Sequence, residues 1–167
     1  MRSICMALVL LSLAVAFGRL ATAQSVAATR SHPPTKVVFV CEHGSVKSLV
    51  AMEYFNRRSQ ERRLRYRAVA RGTAPEPTVP AAVREGLHAD GFDVSGFVPR
   101  LLRASDVDGV ALVVSFDEDI TKTVGGRARY LKWDDLPGVL ANYARGRDAI
   151  VSQVDALIEA LAPSGSP

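Results

Sequence analysis

The sequence predicts an α/β fold, a three-layer sandwich in which helices cover both faces of a four-stranded parallel sheet. Short apolar segments recur along the chain, and segments with helical periodicity lie between them. Two of these apolar segments are continuous rather than alternating, which is typical of strands buried on both faces. The chain has 167 residues, a length that fits one domain.

The first strand and the helix after it have the clearest signals. Residues 36–40, KVVFV, are apolar after the initial lysine, as expected for a buried strand. Apolar side chains then recur at helical spacing, which predicts a helix over 46–62. Residues 66–71, YRAVAR, alternate between polar and apolar side chains and predict the second strand.

The second half of the chain continues this alternation. Residues 80–91 begin with proline and end with glycine, which are typical helix start and stop signals, and predict a second helix. VALVVSF at 110–116 predicts a third strand, and ARYLKW at 128–133 predicts a fourth. A long amphipathic pattern predicts the last helix over 142–161. Strands that alternate with helices imply a parallel sheet covered on both faces.

The N-terminal segment is predicted to be a signal peptide, residues 1–23. Arg2 precedes an apolar run over 6–17, and small residues follow at 21–23. The run is short for a membrane span, so we expect a secreted or periplasmic protein without stable membrane insertion after cleavage. A retained N-terminal anchor is the alternative. The other predicted segments are a flexible lead-in, one domain and a disordered tail, at 24–35, 36–162 and 163–167.

The charge and the cysteine content of the chain limit the functions that it can have. Removing residues 1–23 takes away Arg2 and Arg19, so the formal charge falls from +4 to +2. Only one aromatic residue, Tyr66, stands among the six arginines within 57–67, and these arginines suit a helix end, so we expect no nucleic-acid partner. Cleavage also removes Cys5 and leaves Cys41 as a lone thiol, which is either reactive or paired with another molecule.

The connection between the first strand and first helix has the composition of an anion site. A helix N-terminus offers unpaired N–H groups and a positive dipole end, and Gly44 permits the positive φ of an anion-binding nest. Lys47 adds a positive charge, and a hydroxyl from Ser45 or Ser48 could donate to a thiolate at Cys41. The predicted oxyanion-binding residues are Glu42, His43, Gly44, Ser45, Val46, Lys47 and Ser48.

The pattern of a cysteine, five residues, a basic residue and a serine, directly after VVFV, resembles the low-molecular-weight protein tyrosine phosphatases and the arsenate reductases of the same fold. The resemblance spans roughly residues 36–161. Further segments that carry it are ARGTAPEP, LHADGFDVSGFVPRLL and DVDGVALVVSFDED, at 70–77, 87–102 and 106–119.

The resemblance implies a phosphatase mechanism and its site residues. Cys41 would attack phosphorus to give a cysteinyl phosphate, while the loop N–H groups hold the phosphoryl oxygens. An aspartate after the fourth strand would protonate the leaving group, and Asp134 and Asp135 are the candidates. The expected partner is a phosphate ester or another oxyanion, and no cofactor or metal is expected.

Two positions depart from the family pattern. The family carries arginine where this chain has Lys47, and arginine binds two oxygens in a planar fork whereas lysine is a point charge. The family acid lies in an Asp-Pro pair, which is missing from KWDDLPGVLANY at 132–143. If the turn at Pro137 is aligned with the family pattern, Gly138 occupies the acid position.

Three functions therefore remain open from the sequence. The first is a phosphatase-like hydrolase with a variant loop acting through Cys41. The second is an arsenate reductase, which would need an external small thiol because the mature chain has no second cysteine. The third is a non-catalytic oxyanion-binding protein. The sequence predicts neither the physiological substrate nor the oligomeric state.

Overall fold

The structure is a computed structural model that describes residues 33–162. The predicted signal peptide, most of the predicted lead-in and the tail at 163–167 lie outside the described residues. Between residues 33 and 162, none of the helices is long and apolar enough to cross a membrane.

All of the predicted strands and helices are present, with ends within two residues of those predicted. Two further helices of four residues each were not predicted, because so short a segment shows no periodicity. The elements are, in order, β1 (Thr35–Cys41), α1 (Lys47–Glu61), β2 (Tyr66–Gly72), α2 (Ala81–Ala89), a 3-10 helix (Ala104–Val107), β3 (Leu112–Phe116), α3 (Thr121–Val124), β4 (Arg129–Trp133) and α4 (Tyr143–Leu161).

The four strands form one parallel sheet in the order β2-β1-β3-β4. The chain moves from β1 to β2 on one side and then returns to place β3 on the other side of β1. The strand order therefore reverses at β1, and the carboxyl ends of β1 and β3 flank the crevice where ligands bind in such sheets. Cys41, the last residue of β1, lies at this point.

Alternate residues of β1 face two separate cores. Val37 and Phe39 pack with apolar residues of α1, α2 and α4 on one face. Val38 and Val40 pack on the other face with the 3-10 helix and α3. The predicted fold class is thus confirmed, and burial of β1 on both faces fixes the position of its carboxyl end.

Asp90, the residue after α2, is bonded by side chains from α1 and α4. Its carboxylate accepts a hydrogen bond from the hydroxyl of Tyr54 at 2.9 Å and from that of Tyr143 at 2.7 Å. Arg147 donates to it at 2.7 Å and completes an ion pair. Burial alone would raise the pKa of Asp90, but these hydrogen bonds and the arginine charge outweigh it and hold the pKa below the usual 3.8.

Asp90→Asn is expected to lower the free energy of unfolding at neutral pH by about 1–3 kcal/mol, because it removes a charge that satisfies three donors. A pKa depressed in the folded state gives stabilisation that is present above the unfolded value and lost as the pH falls through the folded value. Urea unfolding should therefore show the difference between wild type and variant shrinking below about pH 4.

Glu85→Gln provides the control, since Glu85 is exposed on α2 and has no ion-pair partner among the described residues. Its unfolding free energy should stay within about 0.5 kcal/mol of wild type. A difference between Asp90→Asn and wild type that does not change with pH would contradict a role for the Asp90 charge.

Candidate active site

Cys41 lies at the carboxyl edge of the sheet with a hydroxyl beside its sulfur. Its side chain is 5% exposed, and Sγ lies 3.1 Å from Oγ of Ser48, a buried residue in the first turn of α1. A hydroxyl at this distance can donate to a thiolate and stabilise negative charge on sulfur. The structure therefore brings together the predicted nucleophile and one of the two predicted hydroxyl donors.

The loop of residues 42–46 is held tightly against the end of β2. Gly44 has a φ of +69°, and a Cβ atom there would lie 2.7 Å from the backbone nitrogen of Gly72. The backbone N–H of Ala74 also donates to the carbonyl of Glu42 at 2.8 Å. Because the close approach leaves no room for a side chain at either glycine, this glycine pair determines the path of the loop.

The loop presents backbone donors that the protein itself does not use. Across residues 33–162, no acceptor is hydrogen-bonded to the backbone N–H groups of residues 42–46. Oγ of Ser45 is buried and also has no partner within the described chain. Buried donors without acceptors are unfavourable, and an oxyanion bound against the loop would satisfy them. The positive φ of Gly44 suits such an anion-binding nest.

The Lys47 ammonium connects this loop to two other connections of the sheet. Its Nζ atom donates to Oδ2 of Asp117, after β3, at 2.6 Å and to the carbonyl of Leu136, after β4, at 2.9 Å. The lysine side chain is 14% exposed and that of Asp117 is 49% exposed. A carboxylate therefore already partly neutralises the lysine charge, and less of that charge acts on an incoming oxyanion.

Asp117 is a site residue that the sequence analysis missed. The available signal was its position directly after a buried strand, at the same edge of the sheet as Cys41. Asp117 also has a φ of +61°, a conformation uncommon for residues other than glycine. Such backbone conformations cluster at functional sites, in agreement with its contact with Lys47.

A cavity of about 220 Å³ opens beside Cys41. The connections after β1, β3 and β4 form its walls, and its volume suits a small head group rather than a whole drug-sized ligand. Gly138, which the family alignment placed at the acid position, is part of the wall. The lining residues are Cys41, Glu42, His43, Val46, Lys47, Phe116, Asp117, Glu118, Gly138, Val139 and Leu140.

The two aspartates predicted as general acids lie outside this cavity wall. Asp134 forms an ion pair with Lys132 at 3.1 Å, and its side chain is 45% exposed. Asp135 is exposed and has a φ of +62°. The connection after β4 instead presents Gly138 and two apolar residues to the cavity. The structure thus brings together Cys41, the loop and Lys47, but not these aspartates.

Carboxylates outnumber cations around the cavity. Glu42, Asp117 and Glu118 line it, whereas Lys47 is the one lysine or arginine in its wall. Oε2 of Glu118 accepts a hydrogen bond from the hydroxyl of Thr73 at 3.1 Å. An anion in this cavity would therefore be bound mainly by backbone N–H groups. In the described part of the chain, no group of three or more histidine, cysteine or acidic side chains could hold a metal ion.

Solved structures with this fold include phosphatases and an arsenate reductase. A low molecular weight protein tyrosine phosphatase from T. tengcongensis has a TM-score of 0.67 and 21% identity, with 77% of this chain and 100% of that chain covered. An arsenate reductase in the phosphate-binding state has a TM-score of 0.66 and 18% identity, with 77% and 99% covered. YwlE, an arginine phosphatase of Bacillus subtilis, has a TM-score of 0.67 and 16% identity, with 78% and 97% covered.

These likenesses show the fold, and a sequence comparison shows the family. No curated protein matches the chain. The profile of the family described as low molecular weight phosphotyrosine protein phosphatase matches residues 36–131, more than half of the chain. The matched range includes Cys41, the loop, Lys47 and Asp117. The chain therefore belongs to the low molecular weight phosphotyrosine protein phosphatase family.

Proposed function

We propose that this chain is a phosphomonoester hydrolase that acts through Cys41. The sulfur attacks phosphorus, the S–P bond forms, and the bond from phosphorus to the leaving-group oxygen breaks. Water then attacks phosphorus, which releases inorganic phosphate and restores the thiolate. The observation that carries the proposal is the 3.1 Å contact of the buried Ser48 hydroxyl with Cys41, which lines the cavity.

The phosphoryl oxygens are bound by the backbone donors of residues 42–46. Donors fixed before the reaction stabilise charge that develops in the transition state without reorganising, and this is often the largest catalytic contribution. Their lack of acceptors within the described residues supports this role. Lys47 contributes in a different way, because its bonds to Asp117 and Leu136 hold the loop against the connections after β3 and β4.

The leaving-group oxygen takes a proton from a carboxyl group or departs as an anion. Asp134 and Asp135 remain the proposed donors from the sequence, and either would have to approach the cavity on substrate binding. Donor geometry in a free enzyme often tightens only in the complex with substrate, so their present positions do not exclude them. Glu118 is the alternative, since it already lines the cavity.

The direct test is to trap the intermediate. The protein is mixed with a small aryl phosphate, quenched in acid and digested, and the Cys41 peptide is examined by mass spectrometry. A phosphoryl adduct on Cys41 that forms during turnover supports the hydrolase. Turnover without the adduct would refute the cysteinyl-phosphate step. An absence of turnover, with phosphate still shifting the amide signals of residues 44–45, would favour the non-catalytic oxyanion-binding protein.

Arsenate reduction is the second candidate, supported by the arsenate reductases among the structural neighbours. Cys41 is the only cysteine of the described residues, so reduction would need an external thiol that is oxidised as arsenate becomes arsenite. Arsenate-dependent consumption of glutathione, absent from a Cys41→Ser variant, would identify this activity.

Lys47→Arg is expected to maintain or raise the rate of aryl phosphate hydrolysis. The guanidinium can keep the bond to Asp117 and offer further donors to the phosphoryl oxygens. Lys47→Met removes the positive charge and the hydrogen-bond donors of this side chain, and it should lower kcat by about 10²-fold or more. Steady-state kinetics of the two variants measure this difference. A collapse of activity in Lys47→Arg would mean that lysine itself is required, for example to recognise a different oxyanion.

We further propose that the protein is exported and that residues 1–23 are its signal peptide. The mass of the protein recovered outside the cytosol tests this, since cleavage after residue 23 leaves Gln24 at the N-terminus. Recovery of the uncleaved chain in the membrane fraction would favour the N-terminal anchor.

A further inference from the structure

A second cavity, of about 470 Å³, lies at the carboxyl end of β2 and is lined largely by arginine. Arg71 belongs to β2 and pairs in register with Val40, so it lies on the sheet face covered by the 3-10 helix. The lining residues are Arg71, Arg100, Leu101, Arg103, Ser105 and Asp106. None of them lines the cavity beside Cys41.

Asp106 fixes the arrangement of this cavity. Its carboxylate forms an ion pair with Arg71 at 2.9 Å and accepts a hydrogen bond from the backbone N–H of Arg103 at 2.9 Å. Both members of the ion pair are less than one-fifth exposed. Burial would raise the pKa of Asp106, but the hydrogen bonds from Arg71 and the Arg103 backbone hold it below its usual value. Asp106 therefore balances the charge of Arg71.

The two other arginines have no such partner. Within residues 33–162, no carboxylate lies within ion-pair distance of Arg100 or Arg103. The segment that carries them is nevertheless held in place, because Gly72 donates to the carbonyl of Arg100 at 2.9 Å and accepts from the backbone N–H of Leu102 at 2.8 Å. Because Asp106 balances Arg71, the net charge of +2 in this cavity comes from the guanidinium groups of Arg100 and Arg103, whose backbone is held in place.

We propose that Arg100 and Arg103 form a second anion site, which binds a phosphate or phosphomonoester dianion. Two guanidinium groups match the charge of a dianion, and their planar donors suit bidentate contact with phosphoryl oxygens. Phosphomonoesters are largely dianionic at neutral pH, since their second pKa is about 6. The hydroxyl of Ser105, in the cavity wall, supplies a further donor.

The two cavities differ in charge, and this difference determines which ligands each of them attracts. The cavity beside Cys41 has three carboxylates and one lysine in its wall, whereas the arginine cavity is cationic. Clefts lined by one sign of charge raise the local concentration of ligands of the opposite sign. The arginine cavity would therefore attract phosphorylated ligands that the other cavity attracts weakly. Binding here does not depend on catalysis at Cys41.

The test is a nuclear magnetic resonance titration of the 15N-labelled protein with inorganic phosphate at a constant ionic strength of about 0.15 M, which screens weak surface attraction. We expect phosphate to shift the amide signals of Leu101, Arg103 and Ser105, which line this cavity and not the one beside Cys41. The double variant Arg100→Ser/Arg103→Ser should bind phosphate at these positions more than about tenfold more weakly. Signals of residues 44–45 report separately on the loop beside Cys41.

A matched control removes the same charge elsewhere. Arg129→Ser/Arg145→Ser changes two exposed arginines outside both cavities and should bind phosphate as wild type does. The proposal fails if the three amides do not respond, respond equally to chloride, or respond alike in both double variants. A phosphoserine peptide that binds more tightly than phosphate identifies a phosphorylated polypeptide as ligand. Equal or weaker peptide binding identifies free phosphate, and both results support the dianion site.

Discussion

Cys41→Ser is expected to reduce aryl phosphate hydrolysis to the uncatalysed background, a loss on the order of 10³-fold or more. The substitution exchanges sulfur for oxygen in a side chain that is 5% exposed, so the fold should be maintained. A serine hydroxyl is a far weaker nucleophile at neutral pH than a thiol beside a hydroxyl donor and a helix N-terminus. Steady-state kinetics with a small aryl phosphate measure the loss.

Phosphate binding by the same variant separates chemistry from recognition. The backbone donors of residues 42–46 are unchanged in Cys41→Ser, so a phosphate titration followed at the amide signals of residues 44–45 should show an affinity within a few-fold of wild type. Ser48→Ala is expected to have a smaller effect than Cys41→Ser, because it removes the hydroxyl 3.1 Å from the sulfur and keeps the proposed nucleophile. Its rate should fall by about 10–100-fold. Equal turnover by wild type and Cys41→Ser would exclude Cys41 as nucleophile.

The sheet could be predicted because its strands are recognisable one at a time. A strand buried on both faces must be apolar throughout, and VVFV and VALVVSF show this directly. The strand order could not be derived in the same way, since it depends on which sheet edge each crossover takes. The order β2-β1-β3-β4 became visible only in the structure.

The grouping of Cys41, the proposed nucleophile, with its loop could also be predicted, because all the parts lie within eight consecutive residues. Lys47 illustrates the limit of such reasoning. Its position was evident, but its bond to Asp117 joins residues 70 apart in the chain. The same holds for the ion pair between Arg71 and Asp106, which organises the second cavity. Local patterns contain no information about such contacts, which the topology alone creates.

The positions of the two aspartates predicted as general acids relative to the cavity could not be derived from the sequence. Asp134 and Asp135 are predicted because they follow the fourth strand, where the family that the sequence resembles carries its acid. The direction of a side chain in an irregular connection depends on its turns, and the sequence does not specify these. In the structure the residues from 138 to 140 face the cavity instead.

Gly72→Ala is expected to disrupt the loop of residues 42–46 although residue 72 lies in a different element. A Cβ atom on Gly72 would lie 2.8 Å from the carbonyl oxygen of Glu42 and 2.9 Å from the backbone nitrogen of Gly44. These are backbone atoms, so the overlap cannot be relieved by rotating a side chain, and the loop must move away from β2. We expect a loss of about 1–3 kcal/mol in unfolding free energy.

The larger effect of Gly72→Ala should be functional, because displaced N–H groups no longer converge on one oxyanion. Phosphate affinity at the loop, followed by the amide signals of residues 44–45, and kcat should each fall by more than about tenfold, beyond what the stability change explains at a temperature where the variant is folded. Gly96→Ala is the matched control, since no atom lies within 4 Å of a Cβ placed there. If the signals of residues 44–45 report the same phosphate affinity in Gly72→Ala as in Gly96→Ala, the loop does not depend on the glycine contact. The oxyanion donors would then have to be sought outside residues 42–46.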